Sequence, residues 1–238
     1  MTHPASGASG AILEGPLDAA PFPETLSAHV VTPGPRPRLH GYDVEADLAC
    51  HYTPTDVLFL TLTGELPAPE LSAALGIAFA FLAPVSVAHA SVHAAVLART
   101  CGTTSSSTIG VAAIALAEQA RVLLDEHAGW LAWLAAPNDA FPALYRAADA
   151  SDAAASARLR EALAVVGFRA PWLSEKPTRS AALLGVLFTC GLTERASLEA
   201  AVVTARLPTA VAEAMAVKVA DFNQYPTNLP RYSYQELP

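Results

Sequence analysis

The segment LAEQARVLLDEHAGWL, residues 116–131, carries near its end a histidine, His127, of a type that can serve as a general base or a metal ligand. The whole segment has the hydrophobic period of a helix. His127 lies four residues after Leu123 and four before Leu131, which places its ring on the apolar face. This placement favours a histidine that is packed in a core or an interface. A catalytic role for His127 stays open as the alternative.

Two other patterns contain residue types that bind metals or act as nucleophiles. His89 and His93 are four residues apart, but no third ligand lies nearby in the sequence, so a buried helix explains them better than a metal site. Ser105, Ser106 and Ser107 form no nucleophile elbow and have no adjacent base. We therefore expect neither a metal site nor a serine hydrolase.

The composition limits the partners of the chain. Of its 238 residues 53% are hydrophobic and 15% are charged, and the formal net charge is −8. No cluster of lysine and arginine is present, so we expect no binding to nucleic acid. Such an apolar composition indicates that surface is buried against another subunit, which favours a homodimer.

The cysteines and the apolar stretches bear on the compartment. Cys50, Cys101 and Cys190 are far apart and have no ligand-like spacing, which is typical of a reducing compartment. The N-terminal residues lack the basic and apolar regions of a signal peptide, so a cytoplasmic protein is expected. Residues 71–98 carry no formal charge, but Pro84 divides them and no aromatic belt flanks them. We interpret them as a buried helical hairpin and expect no membrane span.

The hydrophobic period predicts an all-α protein. Residues 1–38, rich in Pro, Gly and Ala, are predicted to form an extended arm with a short strand within 25–31. Nearly everything that follows has a helical period. Helices are predicted over residues 53–64, 67–83, 89–102, 105–134, 143–166, 178–191 and 197–222.

The run LHGYDVEADLACHYTPTDVLFLTLTGELPAPE, residues 39–70, resembles the N-terminal part of the citrate synthase superfamily. It contains, in the family's order, a Gly-Tyr-Asp turn, an acidic helix start and an apolar helix that ends in TGELP. The later matches are a Ser-rich junction (91–117), a late helix (180–192), a helix with the wording TARLP (198–215) and the ending PRYSY (230–234). The resemblance covers most of residues 25–238, and the overall length is nearer to the shorter citryl-CoA lyases than to full-length synthases.

The resemblance implies chemistry at a carbon–carbon bond beside a thioester of coenzyme A. In the family a carboxylate removes a methyl proton, two histidines stabilise the enol and ketone oxygens, and arginines hold the substrate carboxylates. Coenzyme A would then enter as the thioester substrate, and no bound cofactor is expected.

Both histidines are replaced at their family positions. The first position falls on Arg121 or Val122, within a segment that is predicted to remain helical. His127 is followed by Ala-Gly, which is only loosely similar to the family's H-G-G loop, and it lies too late in the chain. The motif of the second histidine is reduced to Gly-Phe-Arg, which leaves Arg169 as a candidate ligand of an anion. An ordinary loop arginine is the alternative for Arg169.

The aspartate is also replaced, whereas one arginine is kept. The aspartate position falls on Pro177, which cannot accept a proton. Glu175 is the candidate for a displaced base, although an exposed loop carboxylate is the favoured interpretation of this residue. Arg206 falls on the family's carboxylate-binding arginine, although it could instead pair with an acid such as Glu199 or Glu213 on its own helix. Among the arginines near the C-terminus, Arg231 matches the less direct one. These three arginines form the predicted carboxylate site: Arg169, Arg206 and Arg231.

The resemblance also predicts a domain organisation. We expect an extended arm over 1–38, a helical core from 39–127 and 176–238, and over 128–175 a remnant of the smaller domain that closes over coenzyme A in the family. Two functions remain. The first is a dimeric homologue that binds a small carboxylate or acyl-CoA, or pairs with an active paralogue, without the acid–base residues. The second is a divergent synthase or citryl-CoA lyase that uses His127 or Glu175 on a thioester of a di- or tricarboxylate.

Overall fold

The protein is predominantly helical over residues 25, 27–137, 140–218 and 233, which are those that the computed structural model describes. The α-helices are α1 (Ala49–His51), α2 (Pro54–Thr63), α3 (Pro69–Leu82), α4 (Ala90–Thr100), α5 (Ser105–Glu126), α6 (Ala128–Ala135), α7 (Ala150–Val165), α8 (Arg179–Thr189) and α9 (Arg195–Met215). A π-helix covers Val44–Leu48, and 3-10 helices cover Ala143–Tyr145 and Pro171–Glu175. The predicted all-α class is confirmed.

A small antiparallel sheet precedes the helices. Its strands β1 (Val31–Thr32), β2 (Arg38–Leu39) and β3 (Tyr42–Asp43) pair in chain order. The strand predicted within residues 25–31 therefore starts only at the end of that range. Between β2 and β3 the chain reverses through Gly41 at φ +88°, a value that glycine adopts without steric cost.

The start of α2 is fixed by side chains that its sequence contains. The Thr53 hydroxyl accepts a hydrogen bond from the Asp56 amide, and the Asp56 carboxylate accepts one from the Thr53 amide, which together form a capping box. Pro54 occupies the first helical position, and Gly64 ends the helix at φ +82°. The Ser72 hydroxyl of α3 also donates to Asp56, and this bond ties α2 to the next helix.

Two apolar clusters form the core. The larger one contains residues of every helix from α2 to α9 except α4. Every residue from Ala181 to Leu187 of α8 is buried. The smaller one joins α4, α5 and α9. Residues 128–175 contribute Trp130 and Trp172 to the larger cluster, so this segment shares a core with the flanking helices. The division into a large domain and a remnant small domain stays a prediction.

The single helix predicted over 105–134 is wrong. The helix breaks at His127, whose backbone (φ −105°, ψ 12°) lies outside the helical region, and α6 begins at the next residue. The reason is local. The Nδ1 atom of the His127 ring forms a 2.8 Å hydrogen bond with the Leu123 carbonyl. The backbone amide of His127 donates to the same carbonyl, which belongs to the last turn of α5. The helix predicted over 143–166 is likewise divided, because the Asp149 carboxylate caps a new helix at Ala150.

One described helix, α5, is long and apolar enough to cross a membrane when judged by length and composition alone. Core helices of soluble proteins pass the same test. Here α5 packs against both α4 and α9.

Candidate functional site

Arg206 lies on α9 where the two apolar clusters meet. Its neighbour Ala205 belongs to the larger cluster and Leu207 packs against the smaller one. The side chain is partly buried, and its Nε atom is buried without a hydrogen bond to any described residue. Pro208, two residues further on, has no N–H to donate to the Thr204 carbonyl, so the helix lacks one of its own hydrogen bonds beside Arg206.

A second guanidinium, that of Arg179, lies close enough to affect Arg206. Burial lowers the pKa of Arg206, and the positive charge of Arg179 lowers it further. Arg179 is the first residue of α8, and its Nη2 donates a 2.8 Å hydrogen bond to the Phe81 carbonyl at the end of α3. Its backbone amide donates to Asp152 at the same distance, which fixes the start of α8 against α7.

Neither arginine forms an ion pair with a described residue. The ion pairs among the described residues are formed by Arg121, Arg146 and Arg195. Arg206 therefore does not pair with Glu199 or Glu213 of its own helix, which was the alternative. A buried charge without a partner is costly. Among the described residues, neither Arg206 nor Arg179 has its side-chain charge neutralised by an ion pair.

Sequence reasoning missed Arg179, although a signal was present. Thr178 caps α8 by accepting a hydrogen bond from the Ala181 amide, so Arg179 is a cation in the first helical turn. A positive charge there opposes the helix dipole, which favours anions at that end. The helix itself therefore disfavours an arginine directly after a capping threonine. Its presence indicates that an interaction outside α8 favours this residue.

His127 is buried, as its place on the apolar face predicted, with 8% of its surface exposed. A carbonyl only accepts hydrogen bonds, so the contact with Leu123 places the ring hydrogen on Nδ1. The imidazole also lies 5.6 Å from the ring of Tyr145, measured between centroids. No described carboxylate is hydrogen-bonded to it, and its catalytic role stays a prediction.

Glu175 is exposed and already has a partner. Its Oε2 lies 2.5 Å from Nη2 of Arg146, and its backbone carbonyl accepts from Nε of the same arginine. Pro177, which the resemblance predicted at the position of the family's aspartate, is buried and pairs with Arg146 in an isolated β-bridge. Neither Glu175 nor His127 makes a hydrogen bond or an ion pair with Arg206, so among the described residues the predicted catalytic groups do not join the arginines.

The remaining predicted residues lie apart from this pair. Arg169 is exposed after the buried Phe168 and forms no ion pair with a described residue. Arg231 lies outside the described residues. Arg121, one of the two residues predicted at the family's histidine position, is exposed and bonded to Glu118 and Asp125 on its own helix, which forms a solvated charge network.

Among the described residues no group of three histidine, cysteine, aspartate or glutamate side chains could hold a metal ion. His89 stands at the N-cap position of α4 at the surface but forms no side-chain capping bond, and His93 lines an apolar groove on that helix.

Comparison with known proteins identifies a similar fold among solved structures. No family model matches the sequence, and no curated protein matches it. Among solved structures, the citryl-CoA lyase from Hydrogenobacter thermophilus is similar with a TM-score of 0.60 at 16% sequence identity, over 90% of this chain and 97% of the lyase chain. Because nearly the whole lyase is matched, this chain is not shortened relative to it. The chain therefore has a citrate synthase-like, all-α fold.

Proposed function

We propose that this protein is a member of the citrate synthase superfamily that binds a small di- or tricarboxylate through Arg206 and Arg179 and that lacks the superfamily's standard His, His and Asp set. The observation that carries the proposal is the partly buried Arg206 guanidinium, unpaired among the described residues and close to a second unpaired cation. Arg206 is also the residue that matches the family's carboxylate-binding arginine.

The chemistry of the pair supports a carboxylate ligand. Arginine binds a carboxylate through two parallel N–H···O bonds, and a ligand with two or three carboxylates can engage two guanidiniums together. The similar solved protein is a lyase of citryl-CoA, whose citryl part carries free carboxylates. An anion bound there would offset both the repulsion between the arginines and the desolvation of Arg206.

Calorimetric titration with citrate and with oxaloacetate tests this proposal. We expect Arg206→Gln to weaken citrate binding about 10- to 100-fold, because charge-assisted hydrogen bonds are each worth about 1.5–3 kcal/mol. Arg158→Gln, at an exposed position on α7, is the matched control and should bind as the unchanged protein does. If neither acid binds, or if Arg206→Gln binds equally well, the proposal fails.

Stability separates a binding role of Arg206 from a structural one. Removal of an unpaired, partly buried charge should leave the free energy of unfolding unchanged or raise it in the absence of ligand. A large loss of stability in Arg206→Gln would instead show that the guanidinium has a structural partner, and would contradict the proposal.

A second candidate function is a divergent lyase or synthase in which His127 acts on a coenzyme A thioester. The observation that favours it is the helix break: His127 stands at the junction of α5 and α6 rather than inside a continuous helix. Since Nδ1 carries the hydrogen, Nε2 of the neutral ring is available to accept a proton.

Exchange of the methyl protons of acetyl-CoA in deuterated water, followed by NMR, distinguishes the two functions. Exchange that disappears in His127→Gln but persists in Glu175→Gln would establish His127 as the proton-handling group and replace the binding-only proposal. The reverse pattern would favour Glu175. An unchanged spectrum with folded protein removes the second candidate.

We also propose that α5 forms a homodimer interface, or the interface with a related active subunit. Only 28% of the residues in its most apolar 18-residue window are buried, and Ile114 is 71% exposed. The charged network around Arg121 on the same helix suits contact with water or protein rather than with lipid.

A further inference from the structure

A cavity of about 340 Å³ lies between α7 and the segment that follows it. Its α7 wall contains Ala153, Ser156, Ala157 and Arg160, which recur every three or four residues and so share one helix face. The opposite wall contains Leu173 and Lys176. Because the alanine side chains are short, this volume is not filled. Three polar residues border it: Ser156, Arg160 and Lys176.

Ser156 is almost fully buried as a residue, but its hydroxyl oxygen keeps some accessible surface. It is 3% exposed, and its hydroxyl forms no hydrogen bond with any residue that the structure describes. Buried hydroxyls are normally hydrogen-bonded, and many bond to a carbonyl of their own helix, as Thr189 does to Gly185. Ser156 is one of the residues that line the cavity.

Two cations border the same cavity without an acid. Neither Arg160 nor Lys176 takes part in an ion pair within the described part of the chain. The nearest acid in sequence to Lys176 is Glu175, whose carboxylate is bonded to Arg146. Asp152, one turn before Ser156 on α7, accepts from the Arg179 amide. The cavity therefore combines two positive charges with one hydroxyl donor.

The backbone of Lys176 is held in a position that its residue type disfavours. Its φ of +54° is the left-handed region, where a side chain with a Cβ is strained and glycine is not. The Lys176 carbonyl accepts a 2.9 Å hydrogen bond from the Ala147 amide, and the next residue, Pro177, pairs with Arg146. The left-handed conformation of Lys176 ends the 3-10 helix Pro171–Glu175, and the contacts of Lys176 and Pro177 with residues 146 and 147 hold it in place.

We propose that this cavity binds the phosphate group of a small phosphorylated molecule, with Arg160, Lys176 and Ser156 as its donors. A tetrahedral phosphate offers acceptor oxygens in several directions, which suits donors on both walls better than a planar carboxylate does. The volume exceeds that of a phosphate, so the organic part of the ligand lies against the alanines and Leu173. The site shares no residue with the Arg206–Arg179 pair and does not rest on the proposed function.

Titration of the full chain with inorganic phosphate and with glycerol 3-phosphate, followed by calorimetry, tests the site. We expect saturable binding of both, tighter for the ester, and at least tenfold weaker binding in Arg160→Gln and in Ala157→Leu, which fills the cavity. Arg158→Gln, on the same helix but outside the cavity lining, is the matched control and should change affinity less than twofold.

Lys176→Gly keeps the test independent of folding. Glycine accepts φ +54° without strain, so this variant should keep or raise the melting temperature while it loses at least tenfold in phosphate affinity. Absence of binding by the unchanged protein, or affinity that none of the cavity variants alters, would overturn the proposal. Phosphate binding that is lost in Arg206→Gln and competed by citrate would place the anion at the arginine pair and overturn it as well.

Discussion

The indole of Trp172 occupies the space where a side chain on Gly185 would have to lie. A Cβ built on this glycine of α8 would come within 2.7 Å of the Trp172 ring and 3.2 Å of the Trp130 ring. Both tryptophans are buried, and the Trp130 Nε1 donates a 2.8 Å hydrogen bond to the Ala181 carbonyl of the same helix. The close approach of α8 to the two rings thus depends on a residue without a side chain.

We expect Gly185→Ala to destabilise the fold although alanine is the better helix former. The helical preference is worth about 1 kcal/mol in favour of alanine, whereas overpacking against rigid, buried rings costs about 1–3 kcal/mol. Gly76→Ala in α3 is the matched control, because nothing lies within 4 Å of its Cβ position, and it should stabilise the protein. Urea unfolding of both variants measures the difference; equal effects of the two substitutions would contradict the packing argument.

Much of the fold follows from patterns that are local in sequence. The capping box of Thr53 and Asp56 and the left-handed Gly64 fix α2 to within a residue of its predicted bounds. The break at His127 was missed because a ring that bonds to a backbone carbonyl leaves no trace in the hydrophobic period. Arg179 and Arg206 are 27 positions apart in sequence and lie close together only through packing of α8 and α9, so no spacing rule could have joined them.

The carboxyl group of Asp56 should make stability depend on pH. Burial alone would raise the pKa of Asp56, but hydrogen bonds from Ser72 and Thr53 together lower it below its ordinary value of 3.8. A carboxylate with a depressed pKa in the folded state stabilises the protein above the unfolded-state pKa, and this contribution is lost as the pH falls through the folded-state value. We therefore expect the free energy of unfolding to decrease as the pH is lowered below about 4.

Asp56→Asn isolates that contribution. The variant should lose about 1–2 kcal/mol at neutral pH and show a weaker pH dependence in the acid range, since the amide cannot ionise. Glu65→Gln, at an exposed position without an ion pair to a described residue, should leave the profile as it is. Identical acid profiles for Asp56→Asn and the unchanged protein would count against this assignment.

The three thiols should differ widely in reactivity. Burial raises the pKa of Cys190 to about 12, whereas Cys50 is exposed. Because the thiolate is the reactive form, Cys190 should resist a thiol reagent at pH 8 until the protein unfolds. A variant with Cys50→Ser and Cys101→Ser leaves Cys190 as the only thiol. A second variant, with Cys101→Ser and Cys190→Ser, gives the labelling rate of Cys50 for comparison. If Cys190 were labelled in native buffer as fast as in urea, the expectation would be wrong.

The exposed part of α5 provides the last prediction. Ile114 and Val122 are 71% and 45% exposed on a helix whose other faces pack against α4 and α9, and large aliphatic side chains gain free energy when a second subunit covers them. We expect a dimer in sedimentation velocity without detergent and a shift towards monomer in Ile114→Glu, because a carboxylate in an apolar interface is costly to desolvate. Leu144→Glu is the control: Leu144 is 79% exposed but lies in the 3-10 helix between α6 and α7, so a general effect of surface charge would appear there too. A monomeric unchanged protein, or equal dissociation by the two substitutions, would remove α5 as the interface.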